Sequence, residues 1–369
     1  MRFRVAMVGA CPYPVPQGSQ VLLGDTARVV RDRGHEVHLV VYGHGVGSGD
    51  AQDMAGIELH RCARVPGLTR TAAGPSLLKP MADAALVHTL RGVVRAHGIE
   101  VIHAHNYEAL LAALAARGAP VVYHAHNAMG DELPHFLPMG GPLGRLLDRV
   151  LPRRATGVIA PHGRLADYLI SCGCASERVS VAPPACDATQ FECGEVAEDV
   201  PPVLYAGNLD AYQNLDLLVR VMARVREQVP TARLRVATAA KGTIAGSERV
   251  ETPDFESLRR VLAEDAVVVC PRVSWSGYPI KLLNAMAAGK AVVACRGSAH
   301  PITHLHDGIV VDDDDEEAFA GAVARLLMDA DSRRALGANA RDTVLRRHRP
   351  GDYAAAIERV YADVVRSSG

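Results

Sequence analysis

Aromatic residues are scarce in this sequence. They make up 4% of the 369 residues, and only one is a tryptophan. Proteins that bind single-stranded nucleic acids stack bases on aromatic side chains, and nucleic-acid binders in general carry a basic excess. The formal net charge here is -1. The composition therefore argues against a nucleic-acid partner.

Long apolar runs and paired cysteines are missing as well. No stretch approaches the roughly 20 apolar residues of a transmembrane helix, and the apolar run near the N-terminus is shorter than that of a signal peptide. The eight cysteines form no C-x-x-C pair, which argues against the common structural zinc motifs. These absences predict a cytoplasmic protein with reduced, mostly buried thiols.

Short valine-rich runs alternate with helical patterns along most of the chain. The first is a predicted strand at 3–10, followed by a Pro/Gly loop, a helix at 21–32 and a strand at 37–42. This order is that of a βαβ unit in a parallel sheet. The same alternation predicts a strand at 100–104, a helix at 108–117 and a strand at 120–125.

A chain of this length is longer than most domains with a single hydrophobic core, which predicts two domains. Between residues 183 and 202 the periodicity gives way to prolines and acids, and a second βα series starts at 203. We predict a Rossmann-like N-terminal domain at 1–185, a linker at 186–202 and a Rossmann-like C-terminal domain at 203–349. A last helix at 350–369 is expected to pack back toward the first domain.

Two doubly wound domains of this kind are expected to face each other across a cleft. Ligands of such sheets bind beyond the carboxyl ends of the strands, so the loops that follow strands are the first candidates for a site.

One such segment, residues 274–290, reads SWSGYPIKLLNAMAAGK. Pro279 suits a first helical turn, Ser276 or Gly277 would cap it, and Gly289 would end it. The free N–H groups of a helix start bind anions. Lys281 and Asn284 share one helix face, where they can add charge and a hydrogen bond to a ribose hydroxyl. The alternative is an ordinary helix with a solvated lysine.

Two further loops carry weaker signals. Gly207, Asn208 and Gln213 follow the first strand of the second domain, where a glycine lets a ligand approach the backbone. Gly18 stands in the first βα loop, next to a helix start. Either glycine can equally belong to a plain loop.

Two histidine pairs end neighbouring predicted strands: His103 with His105, and His124 with His126. Strand alternation puts the members of each pair on one side of the sheet. Because no acid nearby has a recognised ligand spacing, we expect a hydrogen-bonding or proton-handling role rather than a metal site. The alternative is that at least two of the four are simply satisfied inside the fold.

Taken together, the motifs resemble those of the retaining glycosyltransferases of family 4, which have the GT-B fold. The resemblance runs in order along nearly the whole chain. It is carried by PQG at 16–18, RGHEV at 33–37, VIHAH at 101–105, PVVYHAH at 120–126, VAPPACD at 181–187 with Phe191, MAAGKAVV at 286–293 and GIVV at 308–311.

This resemblance implies transfer of a sugar from a nucleotide donor with retention of anomeric configuration, without a metal ion or another cofactor. It implies that Gly18 approaches the donor phosphate, that His126 lies near the transferred sugar, and that the helix start at 277–281 carries the diphosphate. The donor-binding candidates are Gly18, Gly207, Asn208, Gln213, Arg272, Ser276, Gly277, Tyr278, Pro279, Ile280, Lys281 and Asn284. On the acceptor side they are His105, Asn106, Asn127 and Glu132.

The chain departs from the family at four positions. Ser276 and Asn284 stand where the family usually has two glutamates, and Asn208 and Gln213 where it has an arginine and a lysine. Two acids and two bases are absent together, so the local charge stays balanced. We expect Lys281, with Arg272 as a second candidate, to replace the missing basic pair.

The leading hypothesis is a glycosyltransferase that uses a UDP- or GDP-sugar and a small or lipid-linked hydroxyl acceptor. The alternatives are a non-catalytic relative that binds a sugar or a protein, and a sugar-nucleotide epimerase of the same architecture. The basic, leucine-containing segment at 145–154 is either solvated or rests on an anionic membrane.

Overall fold

The computed structural model describes residues 1–14, 18–44, 54–68, 78–197 and 199–367. By its internal contacts the chain divides into two compact units. Unit 1 comprises Met1–Pro184 together with Pro350–Gly369, and unit 2 comprises Ala185–Arg349. Pro16 and Gln17 of the first predicted loop lie outside the described residues.

Unit 1 is built on a seven-stranded parallel sheet in the order β3-β2-β1-β4-β5-β6-β7. Its strands are β1 (Arg4–Gly9), β2 (Glu36–Val41), β3 (Ile57–Arg61), β4 (Val101–His105), β5 (Val121–His124), β6 (Gly157–Ala160) and β7 (Val179–Val181). Its helices are α1 (Gly18–Asp32), α2 (Lys79–His97), α3 (Asn106–Ala116), α4 (Met129–Glu132), α5 (Gly140–Val150) and α6 (Gly163–Ser171).

Unit 2 has a parallel sheet of six strands in the order β10-β9-β8-β11-β12-β13. The strands are β8 (Val203–Ala206), β9 (Leu234–Thr238), β10 (Ser247–Glu251), β11 (Val267–Cys270), β12 (Ala291–Cys295) and β13 (Ile309–Val311). The helices are α7 (Leu215–Gln228), α8 (Phe255–Ala263), α9 (Ile280–Ala287), α10 (Glu316–Met328) and α11 (Ala330–Arg347).

The last helix, α12 (Pro350–Arg366), belongs to unit 1, where it packs against α1, β5 and β6. The Tyr353 hydroxyl is hydrogen-bonded to Thr26 of α1 (2.9 Å). Glu358 accepts two hydrogen bonds from the Arg33 guanidinium, at 3.1 and 2.9 Å, and is bonded to His35 Nε2 at 2.9 Å. These contacts lower the pKa of the Glu358 carboxyl, the Arg33 hydrogen bond most strongly.

The strand–helix alternation confirms the predicted α/β class, but three elements escaped prediction: the short helix α4, strand β10 and helix α11. Helix α11 lacks a broad apolar stripe, because the residues it buries include Arg333, Gly337 and Thr343. The Arg333 guanidinium donates to the carbonyl oxygens of Leu326 and Leu327, at 2.9 and 3.2 Å. Strand β10 is short and nowhere fully buried. Within the described residues, no helix is long and apolar enough to cross a membrane.

Candidate functional site

The predicted donor-binding loops of unit 2 come together at one edge of its sheet. Gly207 directly follows β8, and Arg272 comes two residues after β11. Because β8 and β11 are adjacent and parallel, their carboxyl ends lie at the same edge, which is where ligands of doubly wound sheets bind. Helix α9, with Lys281 in its first turn, begins at the same edge.

The Lys281 ammonium is the centre of this arrangement. It donates to Gln213 Oε1 at 2.5 Å and to the Tyr205 hydroxyl at 3.2 Å, and it lies 4.7 Å from the centroid of the Tyr205 ring. The lysine pKa is lowered from 10.5 to about 8, mainly by loss of hydration; Cys270 opposes this shift, the nearby Arg272 charge adds to it, and Asp210 opposes it least. The Lys281 side chain is thus a cation that has lost part of its hydration.

A chain of amide contacts extends from Lys281 into the loop after β8. Gln213 Nε2 donates to Asn208 Oδ1 at 2.6 Å. Asn208 Nδ2 in turn donates to Asp210 at 2.5 Å and to the Tyr212 hydroxyl at 2.8 Å. Asn208 and Gln213, at the positions where the family has its basic pair, therefore belong to one hydrogen-bond network. Lys281 of α9 joins this network through its hydrogen bond to Gln213.

Arg272 lies on the other side of the same turn. Its guanidinium carbon is 5.3 Å from the centroid of the Tyr212 ring, and one of its NH2 groups donates to Ser274 Oγ at 3.1 Å. A Cβ atom at Gly277 would lie 2.4 Å from the Arg272 guanidinium. Gly277 is therefore required for the arginine to pack against the turn.

The start of α9 differs in detail from the prediction. Pro279 is the residue before the helix rather than part of its first turn, the helix begins at Ile280, and no side chain caps it. The N-cap position belongs to Pro279, so neither Ser276 nor Gly277 is the N-cap, and Ser276 is fully buried. Tyr278 stacks on His300, with ring centroids 6.0 Å apart.

Helix α9 separates its faces as predicted. Leu282, Leu283 and Met286 are fully buried in the core of unit 2. Lys281 and Asn284 are only partly buried, which is consistent with a shared accessible face.

The two predicted glycines of the phosphate loops have different surroundings. Gly207 has a φ of 152°, and a Cβ atom there would lie 2.8 Å from Lys281 Nζ. Glycine is therefore needed for the lysine to reach the loop after β8. Gly18 is the first residue of α1 and exposed, and a Cβ atom there would meet nothing within 4 Å.

In unit 1 the four histidines at the ends of β4 and β5 form a buried, hydrogen-bonded cluster. His103 is bonded to the Tyr361 hydroxyl of α12 (2.6 Å) and to His124 (3.1 Å), and His105 is bonded to His126 (2.9 Å). The pairing of His105 with His124 in the register of the two strands brings the side chains together.

Burial keeps these imidazoles neutral. It lowers the pKa of His103 to about 3 and that of His126 to about 4. Burial and the neighbouring imidazoles lower the pKa of His105 and His124 well below the ordinary value. Within the described residues, His105 Nε2, His124 Nε2 and His126 Nδ1 have no hydrogen-bond partner. They can therefore act as hydrogen-bonding groups at neutral pH but not as cations.

The nitrogens of His103, His105 and His124 lie within 4.8 Å of one another, close enough to share an ion. However, both ring nitrogens of His103 are already engaged, one by Tyr361 and one by His124. In the structure the cluster is held together by these hydrogen bonds and by the one between His105 and His126.

The remaining acceptor-side candidates flank this cluster. Asn106 opens α3 with a φ of 71°, a left-handed conformation that asparagine tolerates. The side-chain oxygens of Asn106 and Asn127 are buried and, among the described residues, lack a hydrogen-bond partner. Glu132 ends α4 and is half-buried.

Asp148 of α5 was not predicted and holds the segment after the cluster. Its buried carboxylate accepts from the backbone N–H groups of Met129 (3.0 Å) and Gly130 (2.8 Å) and from the hydroxyls of Tyr168 (2.8 Å) and Tyr107. A sequence signal existed, because Gly140, Gly144 and Asp148 recur every four residues on the buried face of α5. Tyr205, which contacts Lys281, carried no such signal.

Two family models match consecutive parts of this chain. The model for Glycosyltransferase Family 4 matches residues 16–190, and that for Glycosyl transferases group 1 matches residues 200–329. A D-inositol 3-phosphate glycosyltransferase from Kribbella flavida is 27% identical over 74% of this chain and 76% of its own length. One from Xylanimonas cellulosilytica is 26% identical over 98% of this chain and 97% of its own length.

Solved structures share the fold over almost the whole chain. The sucrose-phosphate synthase from Thermosynechococcus elongatus has a TM-score of 0.83 at 16% identity, over 99% of this chain and 100% of that structure. HepE from Anabaena, in complex with UDP and glucose, has a TM-score of 0.75 at 16% identity, over 98% and 100%.

The two parallel sheets and these likenesses define a two-domain α/β protein with the GT-B fold. The chain belongs to the glycosyltransferases, with a family 4 domain followed by a group 1 domain. The predicted fold class and enzyme class are confirmed.

Proposed function

We propose that this enzyme transfers a sugar from a UDP- or GDP-sugar to a hydroxyl acceptor and retains the anomeric configuration. The observation that carries the proposal is the position of Lys281. Its ammonium reaches the side chain of Gln213 (2.5 Å), at a position where the family usually has a basic residue. A cation delivered from α9 therefore replaces one that the loop after β8 no longer supplies.

The charge at this edge of unit 2 fits a diphosphate. Lys281 and Arg272 are close enough for the arginine to lower the lysine pKa, so an anion that binds both relieves their mutual repulsion. The carboxylate of Asp210, which is tied to Asn208, offsets only part of this charge. The dipole of α9 adds to the attraction of an anion at its start.

In the proposed reaction, the bond between the anomeric carbon and the diphosphate oxygen breaks, and the acceptor oxygen bonds to that carbon on the same face. The acceptor's hydroxyl proton passes to the departing diphosphate oxygen. Lys281, Arg272 and the start of α9 stabilise the negative charge that develops on the leaving group. The neutral His126, by its family resemblance, would hydrogen-bond the transferred sugar.

We propose UDP rather than GDP as the first nucleotide to test, because the structures of HepE contain UDP or UDP-glucose. Retention is tested by proton NMR of the product, where the anomeric coupling constant reports the configuration. Inversion would refute the mechanism. A product formed without an acceptor would indicate the epimerase, and no stabilisation by any nucleotide sugar would indicate the non-catalytic relative.

A charge swap tests the role of Lys281 directly. UDP affinity is measured by isothermal titration calorimetry for the wild type, Lys281→Gln, Gln213→Lys and the double variant. Loss of one charge-assisted hydrogen bond, about 1.5–3 kcal/mol, should weaken binding about 10- to 150-fold in Lys281→Gln.

The double variant returns the ammonium to the loop and should recover most of this loss, whereas Gln213→Lys alone puts two ammoniums side by side. Unchanged UDP affinity in Lys281→Gln would refute the role of the lysine. Failure of the double variant, with its fold intact, would show that the helix position itself is required.

We further propose a lipid-linked acceptor, because the exposed surface of α5 and of the turns beside it suits an anionic membrane. Its exposed apolar residues are Leu137, Met139, Leu143 and Leu146, and its exposed basic residues are Arg145, Arg149, Arg153 and Arg154. Asp148, the acid of this helix, is buried. Apolar and cationic groups on one exposed face are typical of helices that lie at an anionic bilayer surface.

Vesicle sedimentation tests this surface. The wild type should bind vesicles that contain an anionic phospholipid and not neutral ones, and Leu146→Glu should reduce that binding. Met328→Glu is the control, since Met328 is an exposed apolar residue of unit 2 (63% exposed). Equal binding of the two variants would contradict the proposed surface while leaving the donor site untouched.

A further inference from the structure

A second group of histidines lies at the sheet edge of unit 1, apart from the candidate site. His38 comes from β2, Glu58 and His60 from the edge strand β3, and His97 ends α2. In the register of the two strands His38 is paired with Glu58. Strand alternation therefore turns His38, Glu58 and His60 to one face of the sheet, where the end of α2 adds His97.

The ligand atoms of these four side chains converge. One nitrogen or oxygen from each lies within 4.8 Å of those of the others. His38 Nδ1 is 3.0 Å from His60 Nε2 and 3.4 Å from Glu58 Oε2, and His60 Nε2 is 3.6 Å from Glu58 Oε1. In a tetrahedral zinc site with bonds of about 2.0–2.1 Å, ligand atoms are separated by about 3.3 Å. The ligand atoms of His38, Glu58 and His60 are already spaced much as in such a site, and that of His97 lies within 4.8 Å of them.

The surroundings of His38 add an independent observation. Its other ring nitrogen, Nε2, faces Glu36 Oε1 at 3.2 Å. When a carboxylate accepts the N–H of one ring nitrogen of a neutral histidine, the other ring nitrogen keeps a lone pair that can bind a metal. Histidines that bind zinc usually have such a partner for their second ring nitrogen.

We propose that His38, Glu58, His60 and His97 bind one Zn²⁺ ion. Three imidazoles and one carboxylate complete a tetrahedral shell and leave no position for a substrate, so the site is structural rather than catalytic. The ion would tie the edge strand β3 and the end of α2 to β2. The proposal is independent of the donor site in unit 2.

Zinc binding is tested on the tag-free, chelator-treated full chain by isothermal titration calorimetry with Zn²⁺ and by absorption spectroscopy with Co²⁺. The wild type should bind one equivalent, show the d–d spectrum of tetrahedral Co²⁺ and melt at a higher temperature with Zn²⁺. Failure of Zn²⁺ to bind, or a thiolate-to-cobalt charge-transfer band from the free cysteines, would overturn the proposal.

Variants assign the ligands. Glu58→Gln, at an exposed position where a loss of folding is not expected, and His97→Ala should each weaken Zn²⁺ at least tenfold. Glu36→Gln should weaken it about 10- to 100-fold by releasing the orientation of His38. The control is His88→Ala, an exposed histidine of the same helix α2, which should bind as the wild type does. Equal affinity in all four variants would refute the site.

Discussion

Replacing Lys281 by methionine should make the ligand-free protein more stable and, at the same time, weaken its binding of UDP. Methionine keeps a long, unbranched side chain but carries no charge. Burial lowers the lysine pKa from 10.5 to about 8. Keeping the ammonium charged in the fold at pH 7 therefore costs about 3 kcal/mol, at about 1.4 kcal/mol per pKa unit.

Part of this gain is lost again, because the variant forfeits the hydrogen bonds to Gln213 and Tyr205, each worth about 0.5–1.5 kcal/mol. The net stabilisation is therefore about 0–2 kcal/mol, which corresponds to a melting temperature raised by at most about 8 °C. Differential scanning calorimetry measures this shift, and titration calorimetry measures the loss of UDP affinity on the same samples.

The sign of the pH dependence follows from the direction of the pKa shift. The folded-state pKa lies below the unfolded value, so the charged lysine destabilises the fold fully below pH 8. This penalty disappears as pH rises from about 8 to 10.5. The advantage of Lys281→Met should shrink over the same window, and UDP should bind the wild type less tightly as pH rises above about 8.

Lys290→Met is the matched control, because Lys290 is a buried lysine of the same unit whose pKa is likewise lowered by loss of hydration. This variant should leave UDP affinity unchanged. A Lys281→Met protein that melts below the wild type and binds UDP equally well would refute the reasoning on both counts.

Three further predictions concern unit 1. Asp148→Asn should lower the free energy of unfolding by about 2–4 kcal/mol in urea titrations, because a buried charge that accepts four hydrogen bonds is lost; a change below 1 kcal/mol would contradict this. Gly144→Ala should destabilise by about 1–3 kcal/mol, since a Cβ atom would lie 2.2 Å from the Met129 carbonyl oxygen, whereas Gly163→Ala, with nothing within 4 Å, should not. Glu358→Gln should lower the melting temperature at pH 7. Because the folded-state pKa of Glu358 is lowered from 4.5, this deficit should shrink as pH falls below about 4.5, and a deficit of the same size at pH 7 and pH 3 would exclude the ionised carboxylate as its cause.

That the candidate donor-binding loops of unit 2 meet at one sheet edge was predictable, because it rests on local rules. Parallel strands put the loops at Gly207 and Arg272 at one sheet edge, and the pattern of α9 separates its buried leucines from Lys281. The cap of α9 was predicted wrongly, because Pro279 lies one residue outside the helix. Element boundaries depend on backbone geometry that the residue types only bias.

Periodicity along the chain settles which segments become strands or helices, because it depends only on neighbours a few residues away. The sequence by itself therefore determined most of the strands and helices of both units and the order of the motifs along them. The contacts that give the site its chemistry were decided by packing. Gln213 and Lys281 are 68 residues apart in the chain, and the lysine's low pKa arises from the water that packing removes. The grouping of His38, His60 and His97 likewise exists only once β2, β3 and α2 are assembled, since no local pattern fixes distances between remote side chains.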